Sequence, residues 1–241
     1  MTKDTETLKH SATLHPKECK AASATQRKEK AFVVKVGGAV VEDEAQLARL
    51  ISDFSALPGR KVLVHGGGRR ATKVAAALGI ESQMVGGRRI TDADMLDVVT
   101  MVYGGLVNKN IVAQLQAAGV NALGLTGADI DVIRSHKRPL KDGIDFGFVG
   151  DVDRANGRML STLIEEGITP VMAPLTHDGE GHMLNTNADT IAATTAIALA
   201  PYYDVTLVYC FEKPGVLACP DDDTSVIDTI THSDFTRLTA D

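Results

Sequence analysis

Two short runs hold the residues best suited to chemistry. Lys35-Val36-Gly37-Gly38 and His65-Gly66-Gly67-Gly68 each put glycines directly after an apolar run and before a stretch with helical spacing. Glycine lets backbone approach a ligand closely. A helix start behind it offers free N–H groups and the positive end of the helix dipole, which together suit an anion such as a phosphate. Lys35 lies two residues before its glycines, so its ammonium reaches over the same edge. There is no G-x-x-x-x-G-K-[ST] run, which excludes a P-loop NTPase. The second loop also fits G-x-G-x-x-A through Gly66, Gly68 and Ala71, with Arg88 and Arg89 where a dinucleotide fold would hold a 2′-phosphate. An NADP-dependent Rossmann reductase is therefore a rival reading, although it leaves Lys35–Gly38 unexplained.

The elements that must position these loops alternate. Phe32–Val36 and Lys61–His65 read as strands, Glu42–Leu57 and Ala71–Leu78 as helices. Thr91 is expected to cap a long helix that runs to about Ala118. Short strands are expected near Ala122–Leu125, Asp131–Arg134 and Phe146–Val149, then a helix over Arg158–Glu166 and a buried strand over Ile168–Ala173. Asp178-Gly179 turns a hairpin. A small-residue helix follows over Ala188–Ala200, a strand over Val205–Tyr209 and a last helix capped by Ser233. Apolar strands separated by helices predict an α/β fold: a three-layer α/β/α sandwich around a mainly parallel sheet.

Composition agrees. The 241 residues are 44% hydrophobic and 23% charged, enough for a core and too little charge for a disordered chain. Aromatics are 4% and Trp is absent, which suits helices packed on a sheet better than a β-sandwich. A net charge of -6 argues against nucleic acid as partner, and no apolar run is long enough to span a bilayer. Cys19, Cys210 and Cys219 form no CxxC pair, so a reducing, cytoplasmic setting is expected. Residues 1–30 lack apolar periodicity and are expected to form a disordered tail. His177–His182 and Asp221–Asp223 read as a hairpin tip and a solvated loop, so no protein metal site is expected.

The ordered set Lys35–Gly38, His65–Gly68, Gly87-Arg88-Arg89-Ile90-Thr91, Val107-Asn108-Lys109 and Leu184-Asn185-Thr186-Asn187-Ala188-Asp189 resembles the amino-acid kinases, in particular their branch acting on N-acylated glutamate. The resemblance runs from about Phe32 to the chain end. It implies phosphorylation of the side-chain carboxylate of an N-acylglutamate by ATP, with Mg2+ carried by the nucleotide, as a step of arginine biosynthesis. It further implies that Lys35 stabilises the transferring phosphoryl group and Asp189 organises the catalytic lysines. Gly37 and Gly38 would contact phosphate oxygens. Gly67, Gly68, Arg89 and Asn185 would hold the amino-acid substrate. Residues 31–175 would form the amino-acid half and 176–241 an incomplete nucleotide half. A homodimer is expected.

The likeness weakens at the nucleotide strand. Cys210-Phe211-Glu212-Lys213-Pro214-Gly215 stands where the family has Thr/Ser-Asp-Val before Pro-Gly, so Glu212, Lys213 and Gly215 are the nucleotide contacts expected there. The family also continues with a Gly-Gly-Met-x-x-Lys segment bearing a second lysine, so the chain is expected to lack about 40 residues. A substrate-binding regulatory domain without turnover therefore stays open beside the kinase. The acyl group stays open too: acetyl and succinyl differ by a carboxylate, which Arg69, Arg70 or Arg88 could meet.

Overall fold

The computed structural model describes residues 28–238. The tail expected over residues 1–30 therefore lies outside the described residues, except for its last three. These are tied to the domain. Lys28 Nζ donates to the Ala200 carbonyl at 2.6 Å, the Glu29 carbonyl accepts from Asp204 N–H, and Lys30 opens the first strand.

A five-stranded, wholly parallel sheet forms the centre. Its members are β1 (Lys30–Val36), β2 (Arg60–His65), β5 (Ala122–Leu125), β8 (Thr169–Met172) and β11 (Asp204–Cys210), in the order β11-β1-β2-β8-β5. Strand alternation sends successive side chains to opposite faces. Val34, Val36 and Leu63 face one helical layer, while Ala31, Val33, Val62 and Val64 face the other. The first layer contains α2 (Glu44–Ala56), α3 (Gly68–Ala77), α4 (Ala93–Val99) and α5 (Asn108–Ala117). The second contains α6 (Gly157–Glu165) and α7 (Ala188–Leu199). Each buried Val or Leu contributes about 1.5–3 kcal/mol, and both sheet faces are lined with them. The three-layer α/β/α reading holds. No helix among the described residues is long and apolar enough to cross a membrane.

A smaller sheet sits beside this frame, ordered β10-β9-β6-β7, from β6 (Ile133–Lys137), β7 (Gly150–Ala155), β9 (Leu175–His177) and β10 (Met183–Asn185). The β9–β10 pair is the expected hairpin around Asp178-Gly179. The ribbon β3 (Met84–Val85) and β4 (Arg88–Arg89) stands apart. The remaining helices are α1 (Gly38–Glu42) and α8 (His232–Leu238).

Four local expectations change. Asp92, not Thr91, caps α4: its side chain accepts from Met95 N–H at 2.9 Å, while Thr91 is fully buried. Thr231 rather than Ser233 caps α8, because its Oγ1 accepts from Asp234 N–H and Asp234 accepts from Thr231 N–H, a reciprocal box. The strand expected over Phe146–Val149 makes only the isolated pairings Thr91–Gly147 and Val149–Asn185, and the ladder starts at Gly150. The helix from residue 93 to 117 is continuous, but Thr100–Val107 is π-helical, with Asn108 N–H reaching the Tyr103 carbonyl five residues back. Such bulges concentrate at functional sites.

Candidate active site

The cleft begins where β1 and β2 end. Gly37 N–H donates to the Cys210 carbonyl and Gly66 N–H to the Val36 carbonyl, so β11, β1 and β2 turn out of the sheet together. The two glycine loops then meet. A β-carbon on Gly66 would lie 3.0 Å from Gly38 N, and one on Gly38 would lie 3.3 Å from Gly67 N. Side chains on both loops would push them apart, which is the physical reason for glycine here. The contact brings two sets of backbone N–H groups to one place.

Lys35 is on the β1 face shared with Ala31 and Val33, the face that α7 covers. Asn187 caps α7 by accepting from Asp189 N–H (2.7 Å) and Thr190 N–H (3.2 Å), which sets Asp189 in the first turn. Lys35 Nζ and Asp189 Oδ1 are 2.8 Å apart. The lysine side chain is 15% exposed and the carboxylate 54% exposed, so the pair forms a wall of the cleft rather than part of the core. The cleft has a volume of about 260 Å³, and Lys35, Gly38, Gly67, Gly68, Asn185 and Asp189 all line it.

Asn185, at the end of β10, donates from Nδ2 to Thr91 Oγ1 at 3.0 Å. This is the role Thr91 has in place of a helix cap. Arg89 also lines the cleft, but its fork is already committed. Nη1 donates to Ser82 Oγ at 2.6 Å, and Nη2 donates to the Gly68 carbonyl (3.0 Å) and Thr72 Oγ1 (2.8 Å). In this state the arginine braces the second glycine loop. Arg88 and Arg138 line the same cleft from its mouth. Arg138 forks onto Asp151 and holds that carboxyl below the usual range.

Beside the cleft a second cavity, about 300 Å³, is lined by Gly37, Gly38, Ala39, Val40, Arg69, Phe211 and Glu212 among others. Glu212 pairs with Arg69 at 3.0 Å. Lys213 instead pairs with Asp223 at 2.7 Å, and Gly215 packs against Val226. Neither lines either of these two cavities. Arg70 lines a third cavity, behind the glycine loops.

Sequence reading missed Tyr103, Ser82 and Thr72, which hold or line the site without belonging to a motif, and it gave Thr91, the last residue of the Gly87–Thr91 motif, a helix cap in place of its bond to Asn185. Only the phasing of residues 93–117 bore on Tyr103, and a π-helical turn leaves no mark in apolar spacing.

His65 is fully buried beneath the second loop. Its Nδ1 donates to the Gly66 carbonyl (2.9 Å), so its Nε2 is the acceptor for Asn108 Nδ2 (3.1 Å). Asn108 also donates to the Val171 carbonyl, and Lys109 Nζ bonds both Asn108 Oδ1 and the Gly124 carbonyl. Protonation would set two donors face to face, and burial pushes the imidazole down to about 4. The unfolded chain binds this proton below about pH 6.5 and the fold does not until about 4. Stability should therefore fall by about 3 kcal/mol as pH drops through that window. Denaturant unfolding at stepped pH should show this slope, and His65→Gln should flatten it. A wild-type curve flat from pH 6.5 to 4 would refute the buried neutral state.

A parallel sheet whose strand ends open into two touching glycine loops, with a lysine–aspartate pair on one wall, defines a phosphoryl-transfer fold. The chain belongs to the amino acid kinase family, whose sequence profile matches residues 30–240. Among its relatives is the acetylglutamate kinase of Bacteroides fragilis, 68% identical over 214 residues, covering 89% of this chain and 82% of that protein. The acetylglutamate kinase of Methanopyrus kandleri is 43% identical over 209 residues, with 86% and 81% covered. A solved structure from Streptococcus mutans matches with TM-score 0.67 at 30% identity, over 78% of this chain and 74% of that one. The N-acetylglutamate synthase of Neisseria gonorrhoeae shares the fold (TM-score 0.68, 24% identity, 82% and 44% covered). The family assignment does not favour the NADP-reductase reading, and Arg89, which that reading needs beside a 2′-phosphate, is instead buried against Gly68.

Proposed function

We propose that this chain is an ATP-dependent kinase of the side-chain carboxylate of N-acetyl-L-glutamate. The observation that carries this reading is the contact of the two glycine loops beside the Lys35–Asp189 pair. One loop is suited to the phosphates and the other to the acceptor, so donor and acceptor would meet between them. The relatives named acetylglutamate kinase support the choice of acceptor.

A glutamate side chain is already ionised at neutral pH, so no general base is required. A carboxylate oxygen attacks the γ-phosphorus of ATP. The new bond joins that oxygen to phosphorus, and the bond from the γ-phosphorus to the β–γ bridging oxygen breaks. ADP leaves with that electron pair, and an acyl phosphate remains. The residues contribute positioning and charge, the main requirements of phosphoryl transfer. Lys35 faces the charge that develops on the transferring group, and Asp189 holds the ammonium in place. Gly37 and Gly38 cradle phosphate oxygens. Gly67, Gly68, Asn185 and the braced Arg89 seat the amino acid.

The nucleotide is assigned to the side of Phe211 and Glu212, with residues 31–175 supplying most of the acceptor half and 176–241 most of the donor half. Lys213 and Gly215 would shape the loop around that side. Among the described residues Asp189 is the one acid lining the cleft and is taken by Lys35, which fits magnesium carried by the nucleotide rather than by a protein cage. Such an ion would neutralise phosphate charge.

A cytoplasmic setting is supported by the free thiols of Cys210 and Cys219. A homodimer is supported by the sheet edge at β5, where Leu123 is exposed, and by exposed Met101 and Leu106 on the helix N-terminal to that strand.

ADP release should require N-acetyl-L-glutamate and should not occur with aspartate, glutamate or UMP. Calorimetric binding of N-acetyl-L-glutamate without ADP release would define a binding domain instead.

A further inference from the structure

Tyr103 has no part in the account above, yet its position is unusual. It belongs to the π-helical turn, is 5% exposed and lines the substrate cleft. Its ring covers Gly67: a β-carbon there would lie 2.9 Å from Tyr103 Cδ1. Its hydroxyl reaches the far side of the same loop: a β-carbon on Gly68 would stand 3.9 Å from that hydroxyl and 4.0 Å from Arg89 Nη2. The Arg89 guanidinium is the charged group beside the phenol. A guanidinium only donates, so Arg89 cannot accept the phenol's proton, and that proton has no acceptor among the described residues. Burial raises the phenol pKa, so that proton stays in place at neutral pH.

A donor that is nearly buried, polarised by a cation and left without an acceptor in a ligand cleft calls for an anionic acceptor from the ligand. Resting on the kinase reading, the acceptor's reacting carboxylate belongs at Lys35. That leaves its other, α-carboxylate for the Arg89 side. We infer that the Tyr103 hydroxyl donates a hydrogen bond to the substrate's α-carboxylate and so selects for acids that bear one. Arg89, whose Nη groups are committed to Ser82, Gly68 and Thr72, then acts by its charge beside the phenol.

The contact involves a group that does not react, so it strengthens ground and transition states alike and should appear in KM rather than kcat. In Tyr103→Phe, KM for N-acetyl-L-glutamate should rise about tenfold or more. The kcat and the KM for ATP should stay within about twofold. The discriminating probe is 4-acetamidobutyrate, the same acceptor without its α-carboxylate. Wild type and Tyr103→Phe should use it equally poorly. Tyr103→Leu, which also removes the hydroxyl, should reproduce the KM rise, and calorimetry on both variants should show matching losses of N-acetyl-L-glutamate affinity. An unchanged KM in Tyr103→Phe, or an equal loss on both acceptors, would overturn the assignment. Failure of the kinase reading is distinguishable, because the wild-type protein would then release no ADP with N-acetyl-L-glutamate.

Discussion

Lys35→Ala should lower kcat about 10³-fold while the protein stays folded and still binds N-acetyl-L-glutamate. Removing one preorganised donor from a site of developing charge costs about 10²–10³ in rate, and removing a cation at a transferring phosphoryl group costs 10³ or more. The lysine side chain is 15% exposed and has one carboxylate partner, Asp189 at 2.8 Å. Its loss leaves no charge stranded in the core, so unfolding midpoints should move little. Lys35→Arg should not rescue, because a planar fork cannot replace a compact ammonium held at one point. Asp189 acts through the lysine. Asp189→Ala should therefore cost less than Lys35→Ala, and the double variant should be no worse than Lys35→Ala alone, since the two residues work as a unit. Steady-state kinetics on the four proteins decides this. Additive losses would break the proposed coupling, and near wild-type turnover in Lys35→Ala would remove the lysine from the chemistry.

Gly147→Ala should damage the acceptor side of the cleft from beneath. Gly147 has φ +71°, and a β-carbon there would lie 2.1 Å from the Thr91 carbonyl oxygen. That oxygen accepts from Phe148 N–H, Thr91 N–H donates to the Phe146 carbonyl, and Asn185 N–H donates to the Phe148 carbonyl. The same seam sets Thr91 Oγ1 under the Asn185 amide. A left-handed alanine costs about 1–2 kcal/mol by itself, and the backbone clash must part the seam. A total of about 3 kcal/mol or more is expected, which lowers the melting temperature by roughly 6–12 °C in a domain of this size. KM for N-acetyl-L-glutamate should rise at least about tenfold. Gly143→Ala is the control. Its φ of +77° is similar, but nothing lies within 4 Å of the added carbon, so only the backbone cost should appear and KM should hold. Equal behaviour of the two variants would show that the seam does not carry the site.

The sheet was legible because its strands are apolar runs bounded by glycine, and burial on both faces demands that pattern. Lys35, the glycine loops, Asn185 and Asp189 were legible as an ordered resemblance, and the fold brings them to one cleft. Other features follow from tertiary contacts that no local pattern encodes. Thr91 looks like a helix cap, since Thr followed by Asp-Ala-Asp satisfies the rule. Asp92 takes that place because Thr91 is drawn into the seam with Gly147 and Asn185. Phe146–Val149 has strand-like composition but lies between two partners and makes single bridges to each. Tyr103 is an aromatic in an apolar helix, which reads as core, and a π-helical turn rotates it over Gly67. Lys28–Lys30 carry no apolar signal, yet Lys28 and Glu29 reach the domain through polar contacts. Glu212, Lys213 and Gly215 sat where the resemblance was weakest. Only Glu212 lines a cavity beside the glycine loops.

The central claim is direct transfer of a phosphoryl group from ATP to a side-chain carboxylate. It is tested most directly by 31P NMR of a reaction containing ATP, magnesium and N-acetyl-L-glutamate labelled with 18O in its γ-carboxylate. The account predicts an acyl-phosphate resonance displaced by the isotope, because the bridging oxygen between carbon and phosphorus comes from the substrate. ATP consumed with only inorganic phosphate formed, or no ATP consumed at all, would contradict it.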